Sequence, residues 1–310
     1  MPSTTVIVTS VTSFLGFLLN TGVMYLVLSK GRKRHHYLFA GILLICAIWD
    51  FGVFLAMIRN RFVEELVIYG YIVFYPCIFL PALIFHFTGS YLNQVRVKTT
   101  ILLYVVCAAS AILMAFGITG RLEGIYTYSW GQIFRPDEQM LAGFPIMIAF
   151  FIIPVLASCW FFYQAYRKET SPLPRRHLLY IFTGFMMISF ATVKTLVLLD
   201  IDVPVLLPAG MFFNDIFAAV IGIAIIKDRL FDITLIIQKG AIYSGLAAVL
   251  IFVFSFSEHM LVTYLGHFFG EHSQVIHLLS IALVIAILMP VKHRLERGIE
   301  GFFAKRQLEF

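Results

Sequence analysis

Three ionisable side chains stand inside stretches that otherwise read as hydrocarbon: Asp50 in ICAIWDFGVF, Lys194 in FATVKTLVLL and Asp215 in MFFNDIFAAV. Charge inside a bilayer is costly and is kept where it faces a bundle interior or a water-filled cavity, so each is a candidate for function. The chemistry open to them is that of a polar centre in a ligand pocket, or of a proton or substrate relay. Trp49 and Asn214 are their immediate neighbours, and Tyr71 and Tyr75 in the third apolar stretch add stacking and hydrogen bonding. The plainer reading is an ion pair, Lys194 with Asp215, locking two adjacent helices, since a long Lys stem bridges a few Å of depth. The sequence leaves both readings open. Asp50 and Asp215 are also free to approach as the dyad of an intramembrane aspartyl protease. Neither has the flanking glycines such enzymes use, and Lys194 offers one of them a better partner.

Other constellations are absent. The chain has no GxSxG, no HExxH and no phosphate-binding glycine loop. Its cysteines, Cys46, Cys77, Cys107 and Cys159, all fall in apolar runs without a CxxC neighbour and read as small hydrophobes. His267, His272 and His277 are spaced by five and do not share a helical face, so no metal site is expected, and no cofactor motif stands anywhere. Glu258-His259 reads as a wet helix end rather than a pH sensor.

These residues are positioned by membrane helices. With 60% hydrophobic and 13% charged residues the chain is no ordinary soluble globule. A mean hydropathy of +0.91 agrees. Every backbone group in hydrocarbon must be satisfied within its own segment, so recurring apolar runs of spanning length predict an all-α polytopic bundle. We read spans over 6–29, 37–58, 65–92, 101–119, 142–166, 178–199, 205–226, 241–262 and 275–290, the last two being the weakest. This divides the chain into a seven-helix region (1–234), two further spans (235–290) and a tail (291–310). Pro76 and Pro81 predict a kink in the third span.

Lys and Arg set the orientation. The segments following odd-numbered spans hold 18 of them and the opposite segments 4, which puts the N-terminus outside and the C-terminus in the cytoplasm of a cell membrane. The net charge of +6 is therefore a signal of topology and anionic lipid, not of nucleic acid. At about 1.5 Å per residue, Asp50 lies about 12 Å, Asp215 about 15 Å and Lys194 about 8 Å below the outer ends of their spans. The outer loop 120–141 carries Tyr126, Tyr128, Trp130 and Phe134. Seating at the headgroup level is the simpler role for them, and a hairpin lid is the alternative. The first span has no positive region before it and does not read as a cleaved signal.

Several passages resemble a known family. Phe79-Leu80-Pro81-Ala82-Leu83-Ile84-Phe85-His86-Phe87-Thr88-Gly89 looks like a proline-kinked helix ending in aromatic-Thr-Gly. Pro174-Arg175-Arg176-His177 resembles a basic helix entry, and IAIIKDRLFDI over Ile223 to Ile233 resembles a closing motif. Together they are similar to the seven-helix input region of bacterial and archaeal sensor histidine kinases. The resemblance implies a non-catalytic membrane sensor that responds to a small apolar or amphiphilic ligand, or to bilayer state. Its output would run through Arg229, Leu230, Phe231 and Asp232 to a cytoplasmic partner such as a separate kinase. Only twenty residues follow Pro290, too few for kinase domains, so the chain is expected to act on another protein or to be part of a longer one. After the last span Leu295, Ile299, Phe302 and Phe303 form a helical stripe suited to a membrane surface or a docking face. The oligomeric state, a homodimer included, is left open. The alternative function is a secondary transporter with an Asp/Lys relay, disfavoured by the lack of an internal repeat.

Overall fold

The computed structural model describes residues 4–58, 63–128, 131–201, 203–228 and 230, all within the first of two compact units, Met1–Leu235. In it α1 (Thr4–Lys30) and α2 (Arg34–Ile58) are joined by a three-residue turn. There the His36 ring accepts a hydrogen bond from the Lys33 amide at 3.1 Å. The third span is broken in two, α3 (Val63–Ile78) and α4 (Leu80–Tyr91), with Phe79 at the joint. Pro81 opens α4, where its missing N–H is tolerated, and at the joint the Ile78 carbonyl accepts the Cys107 thiol of α5 (Val97–Ala115) at 3.0 Å. The expected kink is thus a joint tied to the next helix.

The outer loop forms the hairpin rather than only an interface belt. Strand β1 (Leu122–Tyr128) pairs antiparallel with β2 (Gly131–Pro136), Tyr126 opposite Ile133 and Ile125 opposite Phe134. Leu122, Ile133 and Phe134 are buried, and the Leu122 amide donates to the Tyr71 hydroxyl at 3.2 Å, so the hairpin is seated on α3. Its base is closed by Asp137, whose carboxylate caps α6 (Glu138–Lys168) through the Met140 amide and also accepts the Arg121 amide.

Helix α7 (Pro172–Ala191) runs into an eight-residue 3-10 segment, Thr192–Leu199, before α8 (Leu206–Asp228). A 3-10 run this long is uncommon and marks a special site. Its local cause is the hydroxyl series: Ser189, Thr192 and Thr195 each turn back onto a carbonyl three or four residues earlier, competing with the α-helical ladder. Asp200, in the left-handed region at φ 58°, ends the segment.

Among the described residues, seven helical stretches are long and apolar enough to cross a membrane: Thr4–Ser29, Arg34–Ile58, Ile68–Tyr91, Val97–Ala115, Glu138–Lys168, Pro172–Leu196 and Leu206–Ile225. The expected eighth and ninth spans lie outside the described residues. So do Arg229, Phe231 and Asp232, whereas Leu230 is fully buried. Helix α2 is central, packing on α1, α3 and α4, and α8 closes the bundle against α1 and α7. Two apolar clusters fill the interior. One, around Phe39, Phe87, Phe162, Phe185 and Phe217, lies toward the starts of α2 and α7. The other, around Trp49, Phe74, Phe134 and Met211, lies under the hairpin. Helix α5 buries only Thr100, Cys107 and Met114, one residue every two turns, and turns Ile101, Leu102, Val105 and Ile112 outward. In a bilayer such outward apolar faces meet lipid without penalty.

Candidate functional site

Asp50 sits on α2 at the seam between the two apolar clusters and is fully buried. A lone carboxylate there is unsustainable without donors, and two amides supply them. Asn214 Nδ2 of α8 donates to both carboxylate oxygens at 2.8 Å. Asn20 Nδ2 of α1 donates to Asp50 Oδ2 at 2.9 Å and to the Gly16 carbonyl at 3.0 Å. Three helices are thereby pinned to one side chain.

Asp215, next to Asn214 on α8, turns to the same place. A Cβ added at Gly16 would stand 2.5 Å from Asp215 Oδ1 and 2.6 Å from Asp50 Oδ2, so the two carboxyl groups face each other across the bare Cα of α1. Any other residue at position 16 would fill the space they occupy. Asp215 Oδ1 is buried and has no hydrogen-bond partner among the described residues.

Lys194 comes from the 3-10 segment and is 9% exposed. Its ammonium lies 4.3 Å from the centroid of the Trp49 ring, a cation–π arrangement, and 3.8 Å from Met211 Sδ. Helix α8 passes so close to it that a Cβ on Gly210 would strike the Lys194 stem. The direct Lys194–Asp215 pair is not formed. Lys194 remains within electrostatic reach of both aspartates, but the Trp49 face, rather than a carboxylate, cradles the ammonium. The 3-10 winding and the close crossing at Gly210 set that direction, and neither is visible from depth in the membrane alone.

Beside Lys194 opens a cavity of about 420 Å³. That is within the usual size of small-molecule sites, roughly 300–1,000 Å³. Its wall is apolar, with Trp49, Phe74, Pro81, Met114 and Ile188 among the residues lining it, and its polar lining residues include Lys194, Thr195 and Asn214 beside Ser110, Thr119 and Thr192. Val106 and Ser110 of α5 and Gly143, Ile146 and Met147 of α6 also line it. Helix α5 packs on α3 and α4, and α6 on α4 and α7, with no extended packing between α5 and α6. The cavity therefore adjoins a gap in the helix ring. Of the residues singled out in the sequence, Trp49, Lys194 and Asn214 reach the cavity. Asp50 and Asp215 form a separate polar centre on Gly16, and neither lines it. Tyr71 and Tyr75, 5.9 Å apart, pack in the hairpin cluster instead.

The two aspartates do approach, as a protease dyad would. A dyad must present both carboxyls to water and a peptide. Here Asp50 is enclosed and its oxygens are occupied by Asn20 and Asn214, which suits an electrostatic knot rather than hydrolysis. Asn20 and Gly16 were not foreseen. Their signal is a buried face of α1 bearing Thr9, Ser13, Gly16 and Asn20 at three- and four-residue spacing, the small-and-polar pattern by which membrane helices meet closely. The cavity's α6 wall was missed as well, because a continuous apolar helix carries no mark of which side it leaves unfilled.

Comparison with known proteins agrees with this architecture. Squid rhodopsin has a similar fold, with a TM-score of 0.50 and 13% identity over 80% of this chain and 86% of that one. At that identity the likeness speaks for the seven-helix fold alone. No curated protein matches the chain. The family described as the N-terminal 7TM region of histidine kinase matches residues 12–234, which takes in every described span except the first residues of α1. A seven-helix bundle with a buried polar knot, matched over that length, belongs to this family of membrane sensor input regions.

Proposed function

We propose that this sensor module detects a small apolar or amphiphilic molecule held in the cavity between α2, α3, α5, α6 and the 3-10 segment. The observation that carries the reading is the 420 Å³ apolar cavity with Lys194, Thr195 and Asn214 among the residues of its wall. An apolar body would fill the space, and a polar end would meet those three groups. The lack of extended packing between α5 and α6 offers such a molecule a lateral route from the bilayer. Occupancy would shift the helices between two arrangements to the extent that the ligand binds one better. Lys194 and Asn214 touch both the cavity and the segments leading into and along α8, so α8 is the natural carrier of that shift toward the LFDI element and a cytoplasmic kinase. The Lys and Arg bias supports the outside-to-inside direction, N-terminus out. The transporter alternative finds no support in the family or in the fold.

The test uses Gly143, which lines the cavity and has nothing within 4 Å of an added Cβ. Gly143→Trp should grow into the cavity without disturbing the bundle. Native mass spectrometry of protein extracted in mild detergent is expected to show a lipophilic adduct on the wild type that this variant loses. An adduct of unchanged occupancy on Gly143→Trp would refute the site.

A further inference from the structure

The knot on Gly16 has a chemistry the ligand cavity does not use. Asp50, Asp215 and Asn20 are absent from the cavity wall. Asp50 draws its amide donors from Asn20 and Asn214, whereas Asp215 Oδ1 and Asn20 Oδ1 are buried oxygens with no partner among the described residues. Asn20 itself is fully buried, and its amide is anchored through Nδ2 to Asp50 Oδ2. Its carbonyl oxygen therefore stands beside the same carboxylate. Carboxylate oxygens from α2 and α8 thus meet over Gly16 of α1, with the Asn20 carbonyl oxygen one helical turn along the same helix. Two acidic side chains share one ammonium, Lys194, in electrostatic reach of both. With both ionised, one negative charge is left over in a place where an unbalanced charge is strongly disfavoured, and a counter-charge is called for.

We propose that Asp50, Asp215 and Asn20 form a binding site for one monovalent metal cation, with sodium as the probe, bridging α1, α2 and α8. Oxygen donors suit a hard cation. A single positive charge completes the balance, whereas a divalent ion would overshoot it. No cluster of three His, Cys, Asp or Glu that would favour a divalent or transition metal occurs among the described residues. The site would lock three helices together and so set the resting arrangement from which the sensor departs.

The experiment is direct binding of radiolabelled sodium to the purified full chain in lipid nanodiscs, at fixed pH, with choline chloride holding ionic strength constant. Saturable binding of one ion per chain is expected, with a rise in unfolding temperature that choline does not reproduce. Asp215→Asn and, separately, Asn20→Ala should each weaken sodium binding by about tenfold or more. Glu123→Gln, on the exposed hairpin, should not change it. Because the wild type alone is informative, a variant that misfolds does not decide the matter. Absence of saturable sodium binding to wild type overturns the proposal. So does undiminished binding in both folded site variants, or stabilisation that follows pH and is indifferent to sodium, which would assign the space to a proton.

Discussion

Replacing Gly16 with alanine is the sharpest test of how the polar centre is built. The added methyl carbon would lie 2.5 Å from Asp215 Oδ1, 2.6 Å from Asp50 Oδ2 and 2.9 Å from Asp50 Cγ. Those separations are well inside the 3.5–4.0 Å at which non-bonded atoms sit comfortably, so α1 must retreat or the carboxylates must turn. Asp50 cannot turn freely, because Asn20 and Asn214 hold it from two helices. Overpacking of this kind typically costs about 1–3 kcal/mol. Alanine also has a helix propensity advantage of about 0.5–1 kcal/mol over glycine, which partly masks the loss. Gly22 on the same helix is the matched control, since a Cβ there meets nothing within 4 Å. Gly22→Ala should be neutral or mildly stabilising. The propensity gain is common to both variants, so their difference isolates the clash at about 1–3 kcal/mol. Unfolding by increasing SDS mole fraction in mixed micelles, followed by circular dichroism, measures both. If Gly16→Ala is as stable as Gly22→Ala, the carboxylates do not converge on α1, and the account of the knot is wrong.

Further outcomes follow from the same geometry. Asn214→Ala leaves buried Asp50 with the Asn20 amide alone, and should destabilise the bundle by about 1–3 kcal/mol, the upper part of that range requiring a fully charged acceptor. A double-mutant cycle with Asp50→Asn should recover most of that loss as coupling, and additive effects would contradict the contact. Lys194→Met keeps the stem against Trp49 and removes the charge, so affinity for a dansyl-labelled medium-chain carboxylate, read by fluorescence in nanodiscs, is expected to fall about tenfold, near the 1.4 kcal/mol of one modest charged contact. Unaltered affinity would detach Lys194 from the ligand site. Asp137→Ala removes the cap of α6 and the clasp of the hairpin base, costing about 0.5–2 kcal/mol. Faster hydrogen exchange over 121–136, with no change in α1 or α2, is the signature to look for.

The fold class was legible from hydropathy because the bilayer leaves so few alternatives: helices must satisfy their own backbones, and their length is set by its thickness. The seven spans expected up to 226 correspond to the observed spans within four residues at each end, except that the sixth begins six residues earlier, at Pro172. Pro81 marked the break at Phe79, although not its tie to Cys107. The ionisable residues drew attention by being out of place, and Asp50 and Lys194 are indeed buried. Their partners were not legible. Depth along a helix says nothing of rotation about it, so depth allows a Lys194–Asp215 pair as one of two readings, whereas the 3-10 winding after Ala191 turns Lys194 onto Trp49. The loop aromatics were ambiguous because alternation over six residues serves a belt and a hairpin equally. Packing of Leu122 and Phe134 on α3 decided for the hairpin.

The sequence by itself determined that this chain is a multi-pass helical membrane protein and, through its motifs, the sensor family to which it belongs. Both rest on signals local to one segment, namely apolar length and short runs of residues. What tertiary structure decided is which faces meet. It placed Gly16 and Asn20, two unremarked residues of α1, against carboxylates contributed from α2 and α8 far along the chain. It also left a cavity lined by α5 and α6, which have no extended packing on each other. Contacts between distant segments depend on helix rotation and crossing, and lipid and protein interior are equally apolar, so hydropathy carries no record of either.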